Sequence, residues 1–268
     1  MTEVHTSTDV GAALTEAPSG VPAARSASHG STGSRGTRIL GVISLIGLAF
    51  LVVYAFVVSK ADVELGESIR IMYVHVPTVA AAYLMLLSNA AFSVWALWKR
   101  STFADLAAHA CAEVGTLMLG LTLICGALWG RMTWGAFWVW DARLTTTALL
   151  FLMYVGYLAV RNLPASARSR TVRSGILGIV SACLIPVVNR SVEWWSSLHQ
   201  SRTALGTLDP SISGSQYFTL MLGLVVFSVL SVWLVMHRFR LGWLQEQLDT
   251  HGVDDAIELR RAEAAQSS

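Results

Sequence analysis

Six long runs of the sequence contain no Asp, Glu, Lys or Arg, and they constrain the fold more than any other feature. These runs are residues 39–59, 71–98, 114–130, 144–160, 174–189 and 210–237. A helix needs about 20 apolar residues to cross the hydrocarbon core of a bilayer. The first, second and sixth runs reach that length, and the third and fourth reach it with Glu113 or Arg161 at the lipid boundary. The sequence therefore predicts an all-α polytopic membrane protein with six transmembrane helices, of which the fifth run is the shortest.

Positive charge is unevenly divided between the two sides that six spans define. One side holds the N-terminal segment, the loops near 99–108 and 161–173 and the C-terminal segment, with 13 of the 19 Lys and Arg residues. The other side holds the loops at 60–76, 129–143 and 190–215, with the remaining 6. Because cytoplasmic loops carry the excess of Lys and Arg, we expect cytoplasmic N- and C-termini and three outward loops. The net charge of +2 gives no indication of a nucleic-acid partner.

Composition divides the chain into three segments. Residues 1–38 are rich in Ser, Gly, Ala and Thr and have no apolar centre, which predicts a disordered cytoplasmic tail. Residues 39–238 form the predicted six-helix membrane domain, with a tryptophan-rich loop at 129–145. Residues 239–268 form a predicted cytoplasmic C-terminal tail.

Aromatic residues are concentrated in two of the outward loops. These loops hold six of the ten tryptophans, namely Trp129, Trp134, Trp138, Trp140, Trp194 and Trp195. An aromatic belt at the membrane interface is one explanation. Residues 129–140 nevertheless contain five aromatic side chains in twelve positions, more than a belt requires. Indole rings are large, rigid and apolar with an N–H donor at the edge, so the cluster predicts a platform for a flat ligand.

Two histidines lie on the same predicted face as the tryptophans, one before them in the chain and one after. His75 stands at the start of the second span, and His199 stands in the third outward loop. A lone histidine is more often a hydrogen-bonded structural residue. Histidine is also a common axial ligand of haem iron, and two of them flanking an aromatic platform favour ligation of a metal.

Two charged residues follow the tryptophans directly. Asp141 precedes the fourth span, where it would cap the helix and complement its dipole. Arg143 could pair with a carboxylate such as a haem propionate through two parallel hydrogen bonds. The alternative for Arg143 is an interfacial charge whose stem lies along the lipid.

Residues 129–145, with the sequence WGRMTWGAFWVWDARLT, closely resemble the tryptophan-rich "WWD" motif of haem-handling proteins in cytochrome c biogenesis. Together with the segments at 70–77 and 191–200, the motif is similar to that of the cytochrome c maturation protein C family, also called haem exporter protein C. The resemblance covers about residues 39 to 238. Phe137 stands where the motif usually has another Trp, and residues 131–133 stand where a proline is common.

The resemblance implies a function. Members of that family bind haem at the outer face of the bacterial inner membrane and present it to a membrane-anchored periplasmic haem chaperone. An ABC transporter pair and a small single-span subunit complete the complex. By this resemblance the bound group is a non-covalent b-type haem and the protein is not an enzyme. His75 and His199 would be its axial ligands, and the other binding residues would be Trp129, Trp134, Trp138, Trp140, Asp141, Arg143 and Arg70.

Other classes of membrane protein remain as alternatives. A small-solute transporter usually has charged residues or broken helices in mid-membrane, whereas these runs are uncharged. A WWD-type haem protein of the second cytochrome c biogenesis route, or a haem lyase, is usually larger with more spans. A haem- or quinone-linked redox enzyme is a further alternative.

The six-span topology predicts where reporter fusions are exposed. Fusions at residues 30, 104, 167 and 250 should report a cytoplasmic location, and fusions near 66, 136 and 205 a periplasmic one. A periplasmic signal at residue 167 would contradict the topology at the fifth helix.

Overall fold

The computed structural model describes residues 34–63, 65–199 and 212–266. This part of the chain is helical and has no β-strand, as predicted. Its helices are α1 (Arg35–Val53), which continues as a π-helical turn (Tyr54–Val58), α2 (Ile69–Lys99), α3 (Thr102–Trp134), α4 (Ala142–Arg161), α5 (Ala167–Ala182), α6 (Leu184–Trp194) and α7 (Gly214–Gln266). Most of the predicted tail at 1–38 lies outside the described residues.

Six stretches of these helices are long and apolar enough to cross a membrane, which confirms the predicted number of spans. Helices α5 and α6 together form the fifth span, Ala167–Trp194. They are separated at Cys183, and Pro186 lies in the first turn of α6. A proline has no N–H to bond to the preceding turn, so Pro186 explains why the helix is interrupted between α5 and α6.

Close helix packing brings α2, α3 and α7 together at the centre of the bundle. A Cβ atom on Gly115 of α3 would lie 2.4 Å from Cδ2 of Leu86 on α2, so a larger residue there would force the Leu86 side chain to move. A Cβ atom on Gly223 of α7 would lie 2.8 Å from the Pro77 ring and 2.9 Å from the Tyr73 carbonyl oxygen, both on α2. The second contact brackets the turn of α2 that carries His75.

Residues 59–63, 65–68, 135–141 and 195–199 lie at one end of the bundle, which we call the tryptophan face. Contacts between these loops and the helix ends define it, including a hydrogen bond from the Gln216 side chain to the Lys60 carbonyl oxygen at 3.3 Å. The predicted loop at 129–145 is shorter than expected. Helix α3 continues to Trp134 and ends at Gly135, whose φ of 76° favours glycine. Helix α4 already begins at Ala142.

The opposite end of the bundle, which we call the arginine face, carries residues 100–101 and 162–166 and α7 from Arg238 onward. Arg238 pairs with Glu113 of α3, and Arg170 of α5 lies 3.3 Å from Glu246 of α7. These ion pairs hold α7 against the bundle in the part of the helix that follows the sixth predicted span. The segment 239–268, predicted as a tail, is helical as far as Gln266.

A buried ion pair ties three helices together near the arginine face. The guanidinium of Arg161 donates to both carboxylate oxygens of Asp105 at 2.8 and 2.6 Å and to the Ser174 hydroxyl at 3.1 Å. Arg161 and Asp105 are only 5% and 6% exposed. Arg161 is therefore a charge inside the bundle, where the sequence had suggested a charge at the lipid boundary.

The buried pair makes a prediction about stability. Arg161→Met should lower the free energy of unfolding by about 3–5 kcal/mol, because it leaves the Asp105 carboxylate buried without its partner. Adding Asp105→Leu should recover most of the loss. Unfolding by denaturant in detergent micelles measures both.

The matched control is Arg190→Ala, which removes an exposed ion pair with Glu193. It should change the free energy of unfolding by about 0–1 kcal/mol. Equal changes in the free energy of unfolding from Arg161→Met and Arg190→Ala would show that the buried pair stabilises the fold no more than the exposed pair does.

Candidate functional site

A cavity of about 640 Å³ lies beneath the tryptophan face, between α2, α3, α4 and the segment after α6. Its volume is within the range of about 300–1,000 Å³ that is typical of small-molecule sites. Its wall is mainly apolar, with a few polar groups. Six of the predicted site residues line it, namely His75, His199, Trp129, Trp134, Trp138 and Arg143.

His75 lies in the second turn of α2, and its ring is held from two sides. Nδ1 lies 3.1 Å from the carbonyl oxygen of Thr122 on α3. A Cβ atom on Gly126 would lie 3.0 Å from Cε1 of His75, so the glycine provides a notch for the ring. Because a carbonyl oxygen only accepts, Nδ1 carries the proton and Nε2 keeps its lone pair.

His199 lies in the segment after α6 and is held in a comparable way. Its ring packs edge-to-face on Trp134 with centroids 4.9 Å apart. Nδ1 lies 3.3 Å from Oδ2 of Asp141, an ion-pair distance without the geometry of a hydrogen bond. Burial lowers the pKa of His199 and the Arg143 cation lowers it further, while Asp141 acts in the opposite direction. His199 is therefore neutral at physiological pH, with its proton on Nδ1 beside the carboxylate and a lone pair on Nε2.

Asp141 does more than the predicted helix capping. Its carboxylate accepts from the backbone N–H of Arg143, which is the cap of α4, and also from the Ser197 hydroxyl at 3.0 Å and the Leu198 N–H at 2.9 Å. Burial alone would raise the pKa of Asp141, but these donated hydrogen bonds hold it below its ordinary value. The ionised carboxylate thus fastens the segment 197–199 to the start of α4.

The tryptophans of the motif differ in their positions. Trp129 packs edge-to-face on His75 with centroids 5.7 Å apart, and its Nε1 is buried with no hydrogen-bond partner among the described residues. Trp138 lines the cavity and packs edge-to-face on Trp140 at 5.8 Å. Trp140 is 86% exposed and does not line the cavity. The platform therefore has an inner part, Trp129, Trp134 and Trp138, and an outer part, Trp140.

The two predicted arginines are also in different places. Arg143 lines the cavity, and its guanidinium donates to the Asn189 carbonyl oxygen at 3.4 Å. The Arg70 guanidinium contacts Glu67 and the Ala55 carbonyl oxygen, and it lies over the Phe56 ring at 5.5 Å. Arg70 does not line the cavity, because these contacts hold it against the end of the first span.

Several groups at the site were not predicted from the sequence. The Thr122 carbonyl and Gly126 shape the environment of His75, while Leu198 and Ser197 anchor Asp141. Every residue has a backbone carbonyl and glycines are frequent, so residue type alone does not indicate that Thr122 and Gly126 belong to the site. The link from Asp141 to Leu198 spans 57 positions, so local spacing could not have indicated it.

His109 and His237 lie away from the cavity. His109 is 3.7 Å from Glu113, and His237 packs edge-to-face on Trp233. Both lie toward the arginine face, so His75 and His199 are the histidines that the described residues bring to the cavity.

Comparison with known proteins gives one consistent family. The family model described as "Heme exporter protein C" matches residues 23–254. The "Heme exporter protein C" of Haemophilus influenzae is 36% identical over 208 residues, which are 78% of this chain and 85% of the relative. The proteins of the same name from Escherichia coli K12 and Bradyrhizobium diazoefficiens are each 32% identical. Those matches cover 75% and 70% of this chain, and 81% and 71% of the relatives.

The surroundings of His199 predict its titration. Its pKa should lie below 6.5, Arg143→Gln should raise it by removing a cation, and Asp141→Asn should lower it further by removing an anion. NMR of ¹⁵N-histidine-labelled protein in micelles measures the pKa, with His199→Gln to assign the signal. Unfolded His199 binds a proton more readily than folded His199, so its protonation destabilises the fold as pH falls below 6.5. A pKa of 6.5 or above would contradict this environment.

Proposed function

The chain belongs to the haem exporter protein C family, and on this premise we propose that it binds haem in the cavity beneath the tryptophan face and passes it on during c-type cytochrome biogenesis. The observation that carries the proposal is the pair of imidazoles on one apolar cavity, each with Nδ1 beside an acceptor. Such an arrangement leaves Nε2 of both His75 and His199 available to a metal.

The side chains that line the cavity are of the types that bind haem. Iron in haem accepts imidazole nitrogen at its axial positions, and the described residues have no cluster of three or more His, Cys, Asp or Glu that would hold a bare metal ion. The inner tryptophans offer apolar ring faces, and the buried Nε1 of Trp129 is a donor without a partner among the described residues. Arg143 offers a cation for a propionate.

In this proposal the bound haem supplies the iron, and the protein supplies ligands, shape and charge. His75 and His199 hold the metal, while Trp129, Trp134 and Trp138 surround the ring. Arg143 orients the edge that carries the propionates, and Asp141 supports His199 instead of touching haem. The haem is b-type and non-covalently held, and no residue acts as a catalyst.

The recipient of the haem is the membrane-anchored haem chaperone that the family resemblance implies. Large aromatic side chains are exposed around the cavity on the tryptophan face, among them Phe137, Trp140, Trp194 and Trp195, each more than half exposed. Exposed aromatic surface next to a site is typical of a contact area for a protein partner. The ABC transporter subunits and the small single-span subunit are the other partners of the complex.

The distribution of Lys and Arg supports the orientation. The excess of Lys and Arg favours a cytoplasmic location for the arginine face and both termini, and a periplasmic location for the tryptophan face, in a bacterial inner membrane. The haem site would then lie where c-type cytochromes receive haem.

Replacing the histidines tests the function. His75→Ala and His199→Ala should each lower the haem that co-purifies in mild detergent, with normal accumulation in the membrane. Added imidazole should restore part of the haem and the six-coordinate visible spectrum, because each variant leaves a cavity beside the metal. His109→Ala and His237→Ala are the controls and should retain the parent spectrum. Parent protein without a Soret band, or His75→Ala and His199→Ala with unchanged spectra, would contradict the proposal.

A further inference from the structure

Resting on the proposed function, we propose that Asp141 is a positioning residue that makes His199 the stronger of the two axial ligands, so that His75 is the ligand haem leaves first. The two imidazoles line the same cavity but have unequal supports. The difference lies in the group that faces the Nδ1 atom of each ring.

The support of His75 is neutral. Its Nδ1 lies 3.1 Å from a backbone carbonyl oxygen, that of Thr122. A carbonyl dipole fixes the tautomer and the ring orientation, but it adds no negative charge to the ligand.

The support of His199 is anionic. Its Nδ1 lies 3.3 Å from Oδ2 of Asp141, and the carboxylate is 7% exposed. Three donors, the Arg143 N–H, the Ser197 hydroxyl and the Leu198 N–H, hold this carboxylate in one orientation. Because all three lie within 3.0 Å of it, the carboxylate cannot turn away from the ring without losing them.

A carboxylate behind a ligating imidazole raises the basicity of that ligand. With this support His199 would be the stronger donor to the haem iron and His75 the weaker one. His75 would therefore release the haem first, its Nε2 keeping its lone pair, while His199 would still hold the group as it passes to the recipient.

Asp141→Asn tests the proposal, because asparagine keeps the size and still caps a helix but removes the negative charge. In the haem-loaded protein, the reduction potential should rise, since ferric iron loses electron donation. The affinity for haem should fall by roughly 10–100-fold. Ser166→Ala is the matched control, because it removes the cap of α5 far from the cavity. It should leave both the potential and the affinity unchanged.

Double variants separate positioning from a structural role. Combined with His75→Ala, Asp141→Asn should still lower haem affinity by roughly the same 10–100-fold. Combined with His199→Ala it should have no further effect, since its ligand is gone. Among single variants, His75→Ala should retain more haem than His199→Ala.

The outcomes distinguish this inference from the proposed function. If the parent protein binds no haem, both the proposed function and the role of Asp141 are wrong. Haem binding with a parent-like potential in Asp141→Asn, or an effect that persists after His199→Ala, would overturn only the role of Asp141. Greater haem loss from His75→Ala than from His199→Ala would overturn the order of release.

Discussion

The carboxylate of Asp141 joins two parts of the tryptophan face that are more than fifty positions apart in the chain. It caps α4, receives the N–H of Leu198 and the hydroxyl of Ser197, and lies 3.3 Å from the His199 ring. The other wall of the cavity consists of α2 and α3, whose packing is set by Gly115 and Leu86. The position of His199 relative to His75 therefore depends on this one buried anion.

The number of spans could be predicted from the sequence because exclusion of charge from lipid acts on every residue of a crossing helix. The ends of the helices could not, since charges are tolerated where the bundle supplies a partner. Glu113 lies well inside α3 because Arg238 of α7 neutralises it, and Arg161 is buried because Asp105 and Ser174 receive its hydrogen bonds. Partners 13 to 125 positions away are not visible in a local pattern.

At the site, the sequence indicated the kinds of side chain but not their arrangement. His75, His199, three of the motif tryptophans and Arg143 were predicted from residue type and side of the membrane, and they line one cavity. Trp140 and Arg70 satisfied the same criteria but lie elsewhere. Ring orientation, backbone acceptors such as Thr122 and the carboxylate behind His199 depend on tertiary contacts. A motif therefore identifies the ligand class more readily than the role of each residue.

Helix α7 runs without interruption from Gly214 to Gln266, a length of about 80 Å at 1.5 Å per residue. At Gly223 it touches Pro77 and the Tyr73 carbonyl, on either side of His75, and at Glu246 it pairs with Arg170 near the other end of the bundle. A continuous helix is stiff along its axis. The helix thus links the arginine face to the turn of α2 that carries His75, and a shift of α7 along its axis would press on that turn at Gly223.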